Sequence, residues 1–245
     1  MKVTVATTDK ATGHAYLFGV VNKNDKRSAP SLKKLLGKEP AAQWLIDNET
    51  TNLGFGSVTS VPAESKQVCL ALVGLGDPDK LTKEKLGTCL RNAVAHIKDI
   101  GFESVSTTLV TDSGMELDDA VQGLTHGAII GDFTFDHWKS KPTGKDAKKP
   151  KAAVKSVQLL VDKADATAAR KVAKKEAIVA DAVNHARIIA NTPANVATPK
   201  WMASEARKTG RKTGFSVSVK GRAQLRKEGY NLLTGVAQGS DNEEQ

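Results

Sequence analysis

The sequence is short of aromatic residues, cysteine and long apolar runs, and each shortage excludes a class of protein. Aromatic residues make up 4% of the chain, so the core must be built mainly from Val, Leu, Ile and Ala. Cys69 and Cys89 lack CxxC spacing, which argues against a disulfide framework and indicates a reducing compartment. No apolar run approaches the ~20 residues that cross a bilayer, and the first ten residues lack the apolar stretch of a signal peptide. We therefore expect a cytoplasmic protein without a membrane partner.

Sequence motifs of the common enzyme classes are also missing. The chain has no HExxH, GxSxG or GxxxxGK[ST] pattern and no cysteine–histidine nucleophile pair. The histidines occur singly, which is typical of surface positions or satisfied core positions rather than of metal ligands: His14, His96, His126, His137 and His185.

The net charge of +9 is concentrated in two stretches. Residues 139–175 carry twelve Lys or Arg against three Asp, and residues 200–228 carry nine basic residues against two acidic ones. Such blocks can attract nucleic acid or another anionic partner. Base-stacking aromatics are not interleaved with these lysines, and no helix-turn-helix, RNP or zinc-finger spacing is present. A solvated linker and a solvated helix face are the favoured interpretation.

Two smaller patterns have structural explanations that we prefer to functional ones. GLGDPD at 74–79 follows a buried apolar run, but it lacks the third glycine of GxGxxG, so a strand-ending turn is favoured over a nucleotide site. A second pattern consists of acidic residues near a predicted helix start, which complement the helix dipole without a metal: Asp112, Glu116, Asp118 and Asp119.

Hydrophobic periodicity over the first two-thirds of the chain predicts an α/β domain. The run at 67–75 suits a strand buried on both faces, and the segments that follow alternate between helix and strand over residues 60–165. The other predicted strands are 2–7, 15–21, 104–110 and 154–161, and the predicted helices are 31–36, one starting at Thr82, and 117–133. The Pro- and Lys-rich stretch 141–151 is predicted to be a surface loop.

Beyond that domain, a long helix is predicted at 165–190, ending before Pro193. Pro199 is placed to open a second helix that reaches about residue 209. Strands are predicted at 215–219 and 232–237, with a helical turn at 224–228 between them. We place the domain boundary between residues 164 and 165.

The joint between these helices resembles a motif of the leucyl aminopeptidase (cytosol aminopeptidase) family. The family's NTPAN-x-x-TP stretch corresponds here to residues whose role we predict to be structural: Asn191, Thr192, Pro193, Ala194, Asn195, Thr198 and Pro199. Similarity extends to VCLALVGLGDPDKLT, to AVQGLTHGAIIGDFTFDHWKS and to YNLLTGVAQGS, and covers residues 67–245. Two departures are Gly131-Asp132-Phe133 in place of Gly-x-Tyr, and Ala237 where many members have glycine.

The resemblance implies a macro-like, three-layer N-terminal domain over 1–164, with a mostly parallel sheet. Residues 165–245 would then form the first helices and strands of an α/β metallopeptidase domain. Family members bind two divalent metal ions (Zn, Mn or Mg), release N-terminal, leucine-like residues from peptides, and assemble as hexamers.

Residues that match the family's metal ligands or catalytic groups are expected only after Gln245, so we assign none in this chain and predict it to be inactive alone. We also expect residues 166–245 to need the rest of the domain, or a partner, to cover exposed sheet edges and apolar surface. A non-catalytic structural or binding subunit is the alternative, and a basic nucleic-acid-binding protein is the least favoured reading.

Overall fold

The computed structural model describes residues 1–23, 26–36, 39–48, 53–63, 68–140 and 153–245. The described residues form seven strands and nine α-helices. The strands are Lys2–Thr7 (β1), Ala15–Lys23 (β2), Lys26–Ser28 (β3), Val58–Ala63 (β4), Val68–Gly76 (β5), Ser104–Thr107 (β6) and Ser156–Val161 (β7). The helices are Pro30–Leu36 (α1), Pro40–Asn48 (α2), Lys83–Asp99 (α3), Leu109–Asp112 (α4), Leu117–Gly131 (α5), Ala166–Asn191 (α6), Pro199–Thr213 (α7), Arg222–Lys227 (α8) and Asn231–Ala237 (α9).

The seven strands form one mostly parallel sheet, which confirms the α/β prediction. Its order is β1-β7-β6-β2-β5-β4, with β3 paired to β2. The β1–β7, β7–β6, β6–β2 and β2–β5 pairs are parallel, while β4 and β3 run antiparallel to their neighbours. Strand β5, which lies between β2 and β4, is buried along its length, as its continuous apolar run predicts.

Helices cover both faces of this sheet. One core joins alternate residues of β2, β5 and β7 to the apolar stripes of α3 and α5, with Leu17, Leu86 and Leu124 fully buried in it. The other core lies between β2, β5 and the short helices α1 and α2, around Phe18 and Leu72. Because successive strand side chains point to opposite faces, neighbours such as Leu17 and Phe18 belong to different cores.

Polar side chains on the sheet hold the connection from β1 to β2. Residues 8–14 link the two strands, and along this segment the N–H groups of Thr12 and Gly13 donate to Gln158 Oε1 (3.0 Å) and Ser106 Oγ (2.9 Å). A side chain at Gly13 would lie 2.6 Å from the Ser106 backbone nitrogen, so this contact requires glycine. These hydrogen bonds explain why a fully buried serine occupies the sheet.

Contacts divide the chain into two compact units, Met1–Asn184 and His185–Gln245. The long helix α6 contributes residues to both. The predicted domain boundary between residues 164 and 165 stays a prediction.

Three strand predictions are wrong or too long. Residues 232–237 form α9 instead of a strand, with Thr234 N–H donating to Tyr230 O (3.0 Å), because a short apolar run fits either periodicity. Residues 215–219 have no strand partner, so residues 165–245, all described, contain helices and no strands. The predicted strand 104–110 stops at Thr107, whose hydroxyl accepts from Leu109 N–H (3.2 Å) and starts α4.

Other elements agree with prediction, and two were missed. Helix α3 is capped by Thr82, whose hydroxyl accepts from Lys85 N–H (3.4 Å), and α6 matches its predicted bounds within one residue. Helix α7 begins as predicted but continues to Thr213. Helix α2 and strand β3 were not predicted. The predicted surface loop at 141–151 lies outside the described residues.

Candidate functional site

The joint between α6 and α7 contains the family-like motif. At the end of α6, Asn191 Nδ2 donates to Arg187 O (2.8 Å), and Thr192 Oγ1 donates to Ile188 O (2.7 Å). Thr192 N–H also donates to Ile188 O (3.0 Å), so these side chains add a second layer of hydrogen bonds to the last turn of the helix. The helix therefore ends in side-chain hydrogen bonds immediately before Pro193.

A tight turn and a capped helix start follow. Val196 N–H and Ala197 N–H both donate to Pro193 O (2.9 and 2.8 Å), so the chain reverses within four residues. Thr198 then caps α7 by accepting from Trp201 N–H (3.4 Å), and Pro199 occupies the first turn. Pro193, Ala194 and Asn195 are exposed. The geometry is that of a rigid joint, while the structural role assigned to the motif residues stays a prediction.

Three of the five acidic side chains of the second unit are engaged in ion pairs. Glu205 pairs with Lys208 (2.5 Å), Glu244 with Arg222 (2.8 Å), and Glu228 with Lys220. The hydrogen bonds from Lys220 and Arg222 lower the pKa values of Glu228 and Glu244 below the ordinary range. These carboxylates are therefore charged but already occupied by cations.

Within the described residues, no three His, Cys, Asp or Glu side chains come together to hold a metal ion. The side chains that the structure describes thus do not fit a pair of divalent metals, and we derive no catalytic step from them. The two thiols are buried and unbonded to each other. Burial raises the pKa of Cys89 to about 11 and that of Cys69 in the same direction, so neither is a ready thiolate at neutral pH.

The GLGDPD segment serves packing in the described structure. Gly74 exchanges backbone hydrogen bonds with the preceding loop, donating to Ser57 O (3.0 Å) and accepting from Gly56 N–H (2.8 Å). A side chain at Gly74 would meet Gly54 O at 2.0 Å. Gly76 has a left-handed φ of 75° at the end of β5. The glycines are explained by close approach and turning, as the strand-ending interpretation proposes.

One of the four clustered carboxylates, Asp112, is buried and joins separate elements. Its Oδ2 accepts from Gly19 N–H of β2 (2.7 Å) and from Thr108 Oγ1 (2.7 Å). Burial raises the pKa of Asp112, against the lowering effect of hydrogen bonds from Ser31, Gly19 and Thr108. Helix-dipole compensation fits Asp118 and Asp119 in the first turn of α5, but Asp112 instead links the sheet to α4.

The histidines also have local partners. His126 Nδ1 lies 2.6 Å from Glu176 Oε1, and His96 Nε2 lies 2.8 Å from Ser60 Oγ, which ties α3 to β4. The remaining three have single neighbours: Ser104 for His14, Trp138 for His137 and Thr209 for His185. These contacts are of the kind expected for scattered single histidines.

Apolar side chains on α9 are exposed. Leu232 is 89% exposed and Val236 84% exposed, one helical turn apart, and α9 has no buried residue. A seven-residue helix of this kind is marginal without packing. Among the large apolar side chains of the second unit, those on this helix face are the most exposed to solvent.

Two models of a single family match separate stretches of the chain. The model of the cytosol aminopeptidase family N-terminal domain matches residues 50–142, and that of the same family's catalytic domain matches residues 184–245. The chain belongs to the cytosol aminopeptidase family. The resemblance drawn from the joint motif is thereby confirmed.

The relatives that this chain matches are longer than it is. A probable cytosol aminopeptidase of Brucella melitensis biotype 1 is 34% identical over 185 residues, which is 75% of this chain and 36% of that protein. One from Geotalea uraniireducens is 30% identical over 184 residues, 74% of this chain and 34% of that protein. The chain thus spans about a third of the length of these relatives.

Solved structures share the fold. The bottromycin maturation enzyme BotP matches with a TM-score of 0.72 at 18% identity, over 95% of this chain and 44% of that one. A second structure, BotP in complex with Mn, matches with a TM-score of 0.69 at 19% identity, over the same shares of the two chains. At this identity the likeness shows the fold alone.

Proposed function

We propose that this chain forms the N-terminal domain and the first part of the catalytic domain of a metal-dependent aminopeptidase. The observation that carries the proposal is the match of residues 184–245 to the catalytic-domain model, in a chain whose matched stretch spans about a third of its relatives' length. The complete enzyme would hydrolyse N-terminal, leucine-like residues from peptides in the cytoplasm. It would use two divalent metal ions, Zn, Mn or Mg, and assemble as a homo-oligomer, a hexamer by resemblance.

The chain's own part in that activity is structural. Residues 184–245 present a capped joint, ion-paired carboxylates and an uncovered apolar helix, and none of these can activate water. When bound, the metals would supply Lewis acidity and a bound hydroxide. Their ligands belong to the part of the family's catalytic domain that this sequence does not match.

An aminopeptidase assay tests whether this chain has only a structural part while the rest of the catalytic domain supplies the metal ligands. The 245-residue chain is incubated with a chromogenic leucine amide and added Mn²⁺ or Zn²⁺, alone and with the separately purified C-terminal part of the Brucella melitensis relative. We expect no turnover by the chain alone and turnover in the mixture, with the C-terminal part alone as control. Metal-dependent turnover by the chain alone would contradict the proposal.

A second candidate is a non-catalytic structural or binding subunit, and the exposed face of α9 favours it because that face requires a cover. If the mixture stays inactive although the two proteins form a stable complex on a sizing column, this second candidate is preferred. Nucleic acid is the least supported partner. If the chain binds nucleic acid through phosphate contacts, the affinity of the chain for nucleic acid must fall steeply between low and moderate salt.

A further inference from the structure

The outer edge of the sheet at β1 presents backbone groups that are not paired with another described strand. Lys2 N–H donates to Lys155 O (2.9 Å), so Lys2 faces β7, and by strand alternation Thr4 and Ala6 do too. Val3 and Val5 therefore direct their N–H and C=O groups outward. Arg170 Nε donates to the outward Val5 carbonyl (3.4 Å), which confirms this orientation. Among the described residues no strand pairs with this side of β1.

A groove of about 540 Å³ lies between this edge and α6. On the helix side it is lined by small residues, Ala173 and Ala177, which leave room beside the strand. Ile178 lines it as well and is 66% exposed. An edge without a strand partner, beside an apolar helix surface, offers both backbone and side-chain contacts to an added strand, which would replace the Arg170 bond to the Val5 carbonyl.

The two ends of the groove carry opposite charge. Arg170 and Lys174 line the end near Val5, and Asp181 lines the other. Arg170 and Asp181 are eleven residues apart on α6, about 16 Å at the helical rise of about 1.5 Å per residue. That length corresponds to about five residues of extended strand. A bound five-residue strand with an acidic residue at one end and a basic residue four positions later carries both side chains on the same face and would match both ends.

We propose that this groove binds an extended peptide segment that adds an antiparallel strand to β1. Its acidic residue lies at Arg170 and Lys174, and its basic residue follows at Asp181. Antiparallel pairing is chosen because it is the commoner and slightly more stable geometry. A second copy of this chain is less suited, because antiparallel pairing of two β1 strands would bring Lys2 of one copy to the Arg170 end of the other.

The first test is a titration of the full 245-residue chain into a fluorescent peptide, Glu-Val-Thr-Val-Lys, acetylated and amidated at its ends. The acetylated end presents no free amino group, so binding is independent of aminopeptidase activity. We expect saturable binding, about fivefold weaker binding when the terminal Glu and Lys are exchanged, and none when alternate peptide amides are N-methylated. Equal binding of the methylated peptide, or no saturable binding, would overturn the proposal.

Variants locate the site. Arg170→Glu should reduce the preference between the two peptides, because Lys174 then remains as the only cation at that end, while Lys171→Glu, at the neighbouring exposed position outside the groove, should leave it unchanged. Val5→Pro removes an outward N–H that the sheet does not use, so binding should be lost while circular dichroism stays native. If Val5→Pro unfolds, the effect of Arg170→Glu on the preference between the two peptides still tests the proposal. Self-association of the chain through β1, seen by sedimentation, would replace the peptide proposal with a dimer.

Discussion

The two units, Met1–Asn184 and His185–Gln245, differ in how many of their apolar side chains are buried. The first unit places Leu, Val and Ile into two cores on opposite faces of one sheet. In the second unit the described burial is limited to a few residues such as Ala203 and Leu225, while Leu232 and Val236 lie exposed. The first unit thus has the anatomy of an independent domain, whereas the second has elements whose apolar faces need cover.

The largest expected effect on the free energy of unfolding comes from truncating one leucine to alanine in each of the two units. Leu86→Ala removes a fully buried leucine and should lower the free energy of unfolding by about 2–5 kcal/mol, because it leaves a cavity. Leu232→Ala, at an 89% exposed position, should change it by less than about 0.5 kcal/mol. Denaturant titration of both variants measures the contrast. Comparable losses would remove the distinction between the units.

Glycine substitutions sharpen the same comparison. A Cβ at Gly127 would lie 2.3 Å from Gly87 O, so Gly127→Ala must separate α3 from α5, at a cost of about 1–3 kcal/mol. Gly235 lies in α9 with no atom near the added Cβ, so Gly235→Ala should stabilise that helix by about 0.5–1 kcal/mol. Thermal unfolding followed by circular dichroism checks both. Destabilisation by Gly235→Ala would show that α9 is packed in solution.

Substitution of Asp112 tests the hydrogen bond that joins its carboxylate to Gly19 of β2 within the first unit. Asp112→Ala leaves the Gly19 N–H without its acceptor and should cost about 1–3 kcal/mol, whereas exposed Asp118→Ala should be nearly neutral. Because burial raises the folded-state pKa of Asp112, the folded protein takes up this proton before the unfolded chain does. Wild type should therefore gain stability relative to Asp112→Asn as pH falls through the raised pKa toward 3.8. The opposite slope would contradict the assignment.

The smallest expected effect concerns exposed ion pairs of the second unit. Glu205→Gln removes the partner of Lys208 and should lower stability by less than about 1 kcal/mol, with the difference shrinking at high salt. Urea titration at low and high salt provides the measurement. A loss that persists unchanged at high salt would indicate that the pair is buried in solution.

Sequence reasoning succeeded where local pattern and burial agree. β5 was predicted because its nine residues are apolar without interruption, and α3 because Thr82 caps an apolar stripe. The joint motif could also be placed, since Pro193 and Pro199 restrict the backbone directly.

Sequence reasoning failed where contacts between residues far apart in the sequence determine the structure. Residues 232–237 carry too short an apolar run to distinguish helix from strand. Ser106 and Gln158 anchor a connection more than ninety residues away in sequence, and Asp112 bonds to Gly19 at similar distance. The groove beside β1 arises only because α6 returns to the first strand. No local pattern carries this information.

Limited proteolysis of the isolated chain, with cut sites read by mass spectrometry, tests the central claim most directly. The account predicts that residues 185–245 are cut first, beginning around α9, while β1, β5 and β7 stay protected. Protection throughout residues 185–245 in a monomer would contradict it, because that segment would then cover its own apolar surface.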